Sequence, residues 1–279
     1  MNRLLLCTDM DRTIIPNGRQ PEHPDAAKCF HQLCELPEVT LVYVTGRHLQ
    51  LVKQAISDYS LPEPDYAITD VGTKIYGRNQ GQWEEMLAWQ TLIAADWRGK
   101  KHGQLQHALA GFPELRLQEK SKQNDFKLSY YLPLNVDRDN ILQRAERQLQ
   151  QLDVDASLVW SIDEPEQVGL LDVLPRNATK VHGIEFLQQQ LGYAMHEVIF
   201  AGDSGNDLPV LVSSIPSILV ANADPETKQL ALKLAQENGC EASLYLARQE
   251  HSPLGGNYAA GVVQGVEFFA PEIGALLKL

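Results

Sequence analysis

Residues 4–15 read LLLCTDMDRTII, and the fold turns on how this stretch is understood. Leu4 to Cys7 form an apolar run with the length of one buried strand, and it ends in two carboxylates, Asp9 and Asp11, two positions apart. In an extended segment residues i and i+2 point the same way, so both acids are expected to lean over one spot at the strand tip. Like charges held that close need a cation or a shared proton between them. The spacing points to metal chemistry at the carboxyl end of a strand.

Outward from this stretch, short apolar runs alternate with longer amphipathic ones. "RLLLCT" is followed by "HPDAAKCFHQL", "VTLVYVT", a helical pattern from Leu49 to Tyr59 and "DYAIT". The rhythm returns near the C-terminus with "EVIFAG", a helical stretch from Asp207, "SILVA", a helix opening at Asp224-Pro225, "SLYLA" and a final helix ending near Phe269. Such alternation predicts βαβ units around a parallel sheet, so residues 1–81 and 175–279 read as two halves of one split, Rossmann-like α/β domain. Residues 82–174 read differently. A Trp-containing helical pattern leads to "LRLQEK" and "FKLSYYLP", then a helix from Asp137 to Leu152, then "ASLVWSI" and "VGLLDVLP", an α-β-β-α-β-β order that predicts a small inserted α+β domain. Gly77 to Gly81 and Pro175 to Asn177 supply turn residues where the insert would leave and rejoin.

A length of 279 residues with 44% hydrophobic content accommodates a large domain and a smaller one without covalent staples. The formal charge of -12 argues against a nucleic-acid or anionic-membrane partner, because phosphate polymers are bound by clustered Lys and Arg. Small polar substrates remain, and no obligate protein partner is implied. Cys7, Cys29, Cys34 and Cys240 show no C-x-x-C spacing, which suits reduced thiols in a cytoplasmic protein better than a zinc site. The first apolar run is shorter than a signal-peptide core, and no later stretch has the length of a membrane span.

In a parallel α/β sheet, ligands collect beyond the carboxyl ends of the strands. Three such ends carry suggestive residues: Asp9, Asp11 and Thr13; then Thr45, Gly46 and Arg47 of "VYVTGR"; then Asp203, Ser204, Asn206 and Asp207 of "VIFAGDSGND". Lys180 in "RNATKVHG" falls where a helix should begin. Each has an ordinary explanation alone. An Asp after a strand is commonly a turn or N-cap residue, and Lys180 or Lys127 of "NDFKLSYY" would by default face water. Three acidic or hydroxyl-bearing strand ends plus a lysine in one domain are harder to attribute to turns. "GDSG" also surrounds the nucleophile of trypsin-like serine proteases, but those are all-β proteins, and here the motif follows a buried strand in an alternating α/β pattern.

Taken in order around a mid-chain insert, "DMDRT", "TGR", Lys180 and "GDSGND" resemble the haloacid dehalogenase-like hydrolase superfamily. Carried over by motif position, the resemblance implies that Asp9 is the nucleophile and Asp11 the general acid/base, with Thr45 and Lys180 holding the transferring phosphoryl group. It further implies a Mg²⁺ site drawn from Asp9, Asp11, Asp203 and Asp207. Physical chemistry supports this assignment: a carboxylate approaches a phosphomonoester dianion only when cations neutralise both, and a covalent intermediate divides one hard displacement into two.

Three further stretches are similar to the sucrose-phosphate phosphatase subfamily: "VGTKIYG" from Val71 to Gly77, "FPELRLQEKSKQNDFKLSYYL" from Phe112 to Leu132, and "LDVLP" from Leu171 to Pro175. On that resemblance the substrate contacts are Thr45, Gly46, Arg47, Gly72, Thr73, Lys127, Lys180 and Asn206, with the insert acting as a specificity cap. Alternation along an extended strand would put Lys127 on one face with Asp125 and Ser129. The chain departs from the subfamily pattern in the turn before "LDVLP" and at Lys180-Val181, where the subfamily has Lys-Gly, and it shares with the subfamily a departure from the wider superfamily at Arg12. Arg12 stands where most sugar phosphatases of the superfamily have Gly, and Asp163-Glu164-Pro165 replaces a Gly-Gly-containing turn. The expected activity is Mg²⁺-dependent hydrolysis of sucrose 6-phosphate through an aspartyl-phosphate. Related alternatives are mannosyl-fructose phosphate or glycosylglycerate phosphate as substrate, or a sugar phosphomutase. A degenerate sugar-binding module is disfavoured because no catalytic motif lacks a charged member.

Overall fold

Strand β1 (Leu4–Thr8) is the opening apolar run, and all five of its residues are buried. The computed structural model describes residues 3–163 and 166–277. After β1 come β2 (Val39–Val44), β3 (Tyr66–Thr69), β4 (Lys74–Asn79) and β5 (Gln82–Glu85). The middle of the chain holds β6 (Arg116–Leu117), β7 (Leu128–Leu132), β8 (Ala156–Asp163) and β9 (Val168–Pro175), and β10 (Val198–Gly202), β11 (Ser217–Leu219) and β12 (Leu244–Leu246) close the series. The chain divides into two compact units, Met1–Glu85 with Gly183–Leu279, and Met86–His182. No helix among the described residues is long and apolar enough to cross a membrane.

The first unit is built on an eight-stranded sheet in the order β12-β11-β10-β1-β2-β3-β4-β5. Pairing is parallel from β12 through β3 and antiparallel at β4 and β5. From β1 the chain order runs outward through β2 and β3 on one side, and from β10 to β12 on the other. The β1–β10 boundary is therefore the topological switch point, where an α/β sheet leaves a crevice beyond its strand ends. The crossover helix Ala26–Cys34 turns Ala26, Cys29, Phe30 and Leu33 inward at helical spacing. It packs with the helix Tyr258–Phe269, which is buried from Tyr258 to Val266, over one face of the sheet. The helix expected from Asp207 is shorter than its pattern suggested: a 3₁₀ turn at Gly205–Asp207 leads into only Leu208–Leu211.

The "GRNQG" stretch does not release the chain from this unit. β4 runs through Asn79, and Gln80 and Gly81, with φ of 47° and 80°, form a two-residue hairpin turn into β5. Gln82–Glu85 therefore adds an antiparallel strand to the main sheet, and the second unit begins at Met86 rather than Gln82.

The second unit has a four-stranded antiparallel sheet in the order β6-β7-β9-β8. One face carries Leu128, Tyr130, Leu132, Leu171 and Val173, packed with Leu105, Ile141, Ala145 and Leu149 from the helices His102–Ala108 and Arg138–Gln151. Asp137 caps the latter helix by accepting from the Asn140 amide at 3.1 Å. The expected strand "LRLQEK" shrinks to Arg116–Leu117, followed by a 3₁₀ turn at Lys120–Lys122. At Gly169 a Cβ would lie 1.9 Å from the Trp160 ring, so the missing side chain is what lets the indole cross β9. The chain does not return at Pro175. The Asp96 carboxylate takes the Asn177 amide at 2.7 Å and its Nδ2 at 2.9 Å, and the Arg176 amide donates to Asp155 O at 3.1 Å, which ties residues beyond β9 to this unit. In the altered turn, Glu164 and Pro165 lie outside the described residues, and Asp163 ends β8.

Candidate active site

β10, β1 and β2 are neighbours in the sheet, and the three motif-bearing strand ends are those of these strands. Asp9 follows β1 and stays in register with β10 through its amide, which donates to Ala201 O at 2.8 Å. Asp9, Asp203 and Asp207 are 6%, 2% and 0% exposed, and one carboxylate oxygen from each lies within 4.8 Å of the others. Asp207 is fixed by neutral donors: its Oδ2 accepts from the amides of Asp203 and Ser204, both at 3.1 Å, and from Ser204 Oγ at 3.2 Å. A Cβ at Gly202 would come within 2.6 Å of Asp207 Cγ, so glycine is what allows this carboxylate to lie across the end of β10. Three acids gathered this closely could hold a cation, and an all-oxygen donor set suits a hard divalent ion such as Mg²⁺.

Asp11 does not join that group, contrary to the expectation from its spacing. The chain folds back after β1, with the amides of Thr13, Ile14 and Ile15 all directed at Met10 O at 3.3, 3.0 and 2.9 Å. The extended geometry that would align Asp11 with Asp9 is lost. Instead the Asp11 carboxylate receives Arg47 through Nε at 2.8 Å and Nη2 at 2.6 Å, and Asn17 Nδ2 at 2.8 Å. The bidentate pairing pushes the Arg47 guanidinium above its ordinary value, chiefly through the hydrogen bond to Asp11. Arg47 thus faces the general acid/base candidate.

The Thr45–Arg47 turn is braced from β3. Thr45 is 2% exposed and its amide donates to Ile68 O at 2.9 Å, while its Oγ1 accepts from the Arg47 amide at 3.2 Å. Gly46 is exposed. The Asp70 amide donates to Arg47 O at 2.9 Å, which ties the turn to the stretch that contains Gly72 and Thr73. There Asp70, Val71 and Gly72 have φ of 52°, 60° and 95°, three successive left-handed residues. A β-branched residue in that region is strained, and such strain gathers at functional sites. Thr73 is fully buried and its hydroxyl donates to Asp70 O at 2.9 Å, holding the turn. Asn206 is exposed and accepts from Ser204 Oγ at 2.9 Å. The Ser204 hydroxyl faces the Asp207 carboxylate and the Asn206 amide, so "GDSG" here is a scaffold for Asp207.

Lys127 and Lys180 fall among the residues of the second unit. Lys180 is the first residue of the helix Lys180–Gln190 and is 7% exposed. Lys127 is 8% exposed, not solvated as a strand-face lysine would be by default. Its Nζ lies 3.9 Å from Asp172 Oδ1, the same oxygen to which Ser129 Oγ donates. Asp125 does not share that face, because Asn124–Lys127 is a closed turn before β7 begins and Asp125 sits exposed at its tip. Asp172, Asn17 and Arg12 were not recognised as contacts from sequence. Arg12 alone carried a signal, its departure from the usual glycine.

The model of the sucrose-6F-phosphate phosphohydrolase family matches residues 2–270. A HAD-like hydrolase of Nitrosococcus oceani is 44% identical over 99% of this chain and 74% of its own length. The mannosylfructose-phosphate phosphatase of Agrobacterium fabrum is 30% identical over 81% of this chain and 86% of its own length. Sucrose-phosphatase 1 of Nicotiana tabacum is 28% identical over 81% of this chain, which spans 52% of that longer protein. In fold, the chain is similar to the sucrose-phosphatase of Synechocystis sp. PCC6803 solved with sucrose and phosphate, with a TM-score of 0.75, 24% identity, and coverage of 96% of this chain and 98% of that one. The buried acids at the switch point and the match along nearly the whole chain agree: this is a haloacid dehalogenase-like phosphoric monoester hydrolase, and it belongs to the sucrose-6F-phosphate phosphohydrolase family.

Proposed function

We propose that the protein hydrolyses sucrose 6-phosphate to sucrose and phosphate through an aspartyl-phosphate on Asp9, with Mg²⁺ held by Asp9, Asp203 and Asp207. The observation that carries this reading is the contrast between two acids only two residues apart. Asp9 is buried in a three-acid group, while Asp11 stands outside it, half exposed and gripped by Arg47 and Asn17. When bound, Mg²⁺ supplies the positive charge that lets a carboxylate meet a phosphate dianion.

In the first step an Asp9 oxygen attacks phosphorus in line, the phosphorus–oxygen bond to the sugar breaks, and Asp11 gives its proton to the departing oxygen. In the second, Asp11 takes a proton from a water that attacks the phosphoryl group, and Asp9 is released. The Thr45–Gly46 turn and Lys180 are assigned to the phosphoryl oxygens, with the remaining contacts to the substrate from Arg47, Gly72, Thr73 and Asn206. The second unit is assigned the choice of sugar, with Lys127 as its cation. The four free cysteines favour a cytoplasmic setting.

A second reading, mannosylfructose phosphate as substrate, is favoured by one observation. The Agrobacterium mannosylfructose-phosphate phosphatase is matched over 86% of its length, the tobacco sucrose-phosphatase over 52%. The test is phosphate release from sucrose 6-phosphate, mannosylfructose phosphate, a glycosylglycerate phosphate and an aryl phosphate, with Mg²⁺ and with excess chelator. Sucrose 6-phosphate is expected to give the highest kcat/KM, and chelation to abolish turnover. Full activity in chelator would remove the metal from the reading. Phosphate moved between sugar positions without net release would make the enzyme a mutase.

A further inference from the structure

Arg12 belongs to the first motif and has no part in the reaction steps, yet its side chain reaches the metal-site candidate. Its backbone is left-handed, with φ of 58°, a conformation that glycine adopts freely and side-chain-bearing residues avoid. It is held there from both sides. The Arg12 amide donates to Asn17 Oδ1 at 2.9 Å, and its carbonyl accepts from Asn222 Nδ2 at 2.6 Å. Asn222 is itself fixed, since its Oδ1 accepts from the Tyr258 amide at 2.8 Å. From this clamped backbone the guanidinium places Nε 3.1 Å from Asp203 Oδ2 and Nη2 3.3 Å from Asp224 Oδ1.

We propose that Arg12 is a tethered cation that shares Asp203 with the divalent ion, holding the three-acid group together when no ion is bound and weakening the group's hold on one. The Asp203 side chain is 3% exposed, so water does little to screen its charge, whereas Asp224 at 62% exposure serves mainly to aim the guanidinium. A carboxylate already facing a guanidinium presents less net charge to Mg²⁺. Asp207 differs in that the donors given above for it are neutral. Arg12 is accordingly a positioning residue with two effects of opposite sign. It favours the metal-free protein and disfavours the loaded one, so the protein exchanges its ion rather than retaining it.

The proposal rests on reading Asp9, Asp203 and Asp207 as the Mg²⁺ site, and the experiment separates the two. Metal-free wild type, Arg12→Gly, Arg12→Gln and Arg12→Lys are titrated with Mg²⁺ by calorimetry, and their thermal midpoints are measured with and without the ion. Arg12→Gly and Arg12→Gln are expected to bind Mg²⁺ roughly tenfold more tightly than wild type, and Arg12→Lys to stay within about threefold. Without Mg²⁺ the Arg12→Gln midpoint should fall below that of wild type, and saturating Mg²⁺ should close the gap. A merely structural role would lower both midpoints and leave the affinity alone. Unchanged or weaker Mg²⁺ binding in both Arg12→Gly and Arg12→Gln overturns the proposal while leaving the metal site intact. Failure of the wild type to take up Mg²⁺ overturns the site assignment, and the role of Arg12 falls with it.

Discussion

The first unit buries three carboxylates at neighbouring strand ends, whereas the second sets one buried lysine, Lys127, against a partly exposed aspartate of β9, Asp172. The acids of the first unit are set by backbone: the Asp9 amide is registered on Ala201, and the Asp207 carboxylate is caught by successive amides. Their carboxylates share one sign and together form a donor set that could hold a cation. In the second unit the charges cancel, and Ser129 bonds to the same carboxylate oxygen that faces Lys127. A group with surplus charge is built for reaction, and a neutral, hydrogen-bonding face is built for recognition. Substitutions in the first should therefore depress turnover of every phosphomonoester, and substitutions in the second should discriminate among them.

The largest effect is expected at the nucleophile. Asp9→Asn should lower kcat by about 10⁴-fold or more on both a disaccharide phosphate and an aryl phosphate. Phosphate release from the purified variant checks this, and retention of a tenth of wild-type release would exclude covalent catalysis by Asp9. Next comes Asp11→Asn, expected to cost roughly 10² to 10⁴-fold on the sugar phosphate but much less on an aryl phosphate whose leaving group needs no proton. Equal losses on the two substrates would assign Asp11 a structural part through Arg47 instead.

Lys127→Met tests the other side of the comparison. Loss of one charged hydrogen bond to the sugar should lower kcat/KM about tenfold to hundredfold for the disaccharide phosphate and leave the aryl phosphate nearly unchanged. Parallel losses on both would move Lys127 from recognition into the fold. The smallest effect on chemistry is expected from Gly169→Ala, whose new methyl would collide with Trp160. Overpacking of this kind costs about 1 to 3 kcal/mol, read as a lowered denaturation midpoint, with aryl phosphate turnover preserved. A collapse of aryl phosphate turnover in that variant would show that the two units do not divide the work.

The sequence made the alternating halves, the three strand ends and the acids on them legible because strand periodicity and buried apolar runs are local properties. Directions of side chains beyond a strand end were not legible. The pairing of Asp9 with Asp11 presupposes that the strand continues, and three amides converging on Met10 O place Asp11 inside a turn. Likewise "GRNQG" looked like an exit because glycines mark turns, but whether a turn leaves a sheet or doubles back depends on what Gln82–Glu85 can pair with. The place of Asp172 is not legible because its partners are Ser129 of β7, 43 residues away, and Lys127 just before that strand, and cross-strand register is not written in either strand alone.

The hairpin that keeps Gln82–Glu85 in the main sheet bears on self-association. The two outermost strands of that sheet are β5, four residues reading QWEE, and β12, with three residues. Edges this short are poor templates for a neighbouring chain. The long parallel strands, whose apolar runs would be the aggregation-prone segments of this chain, are shielded behind these two stubs. The sheet is thereby guarded at both of its ends, independently of the chemistry at its centre.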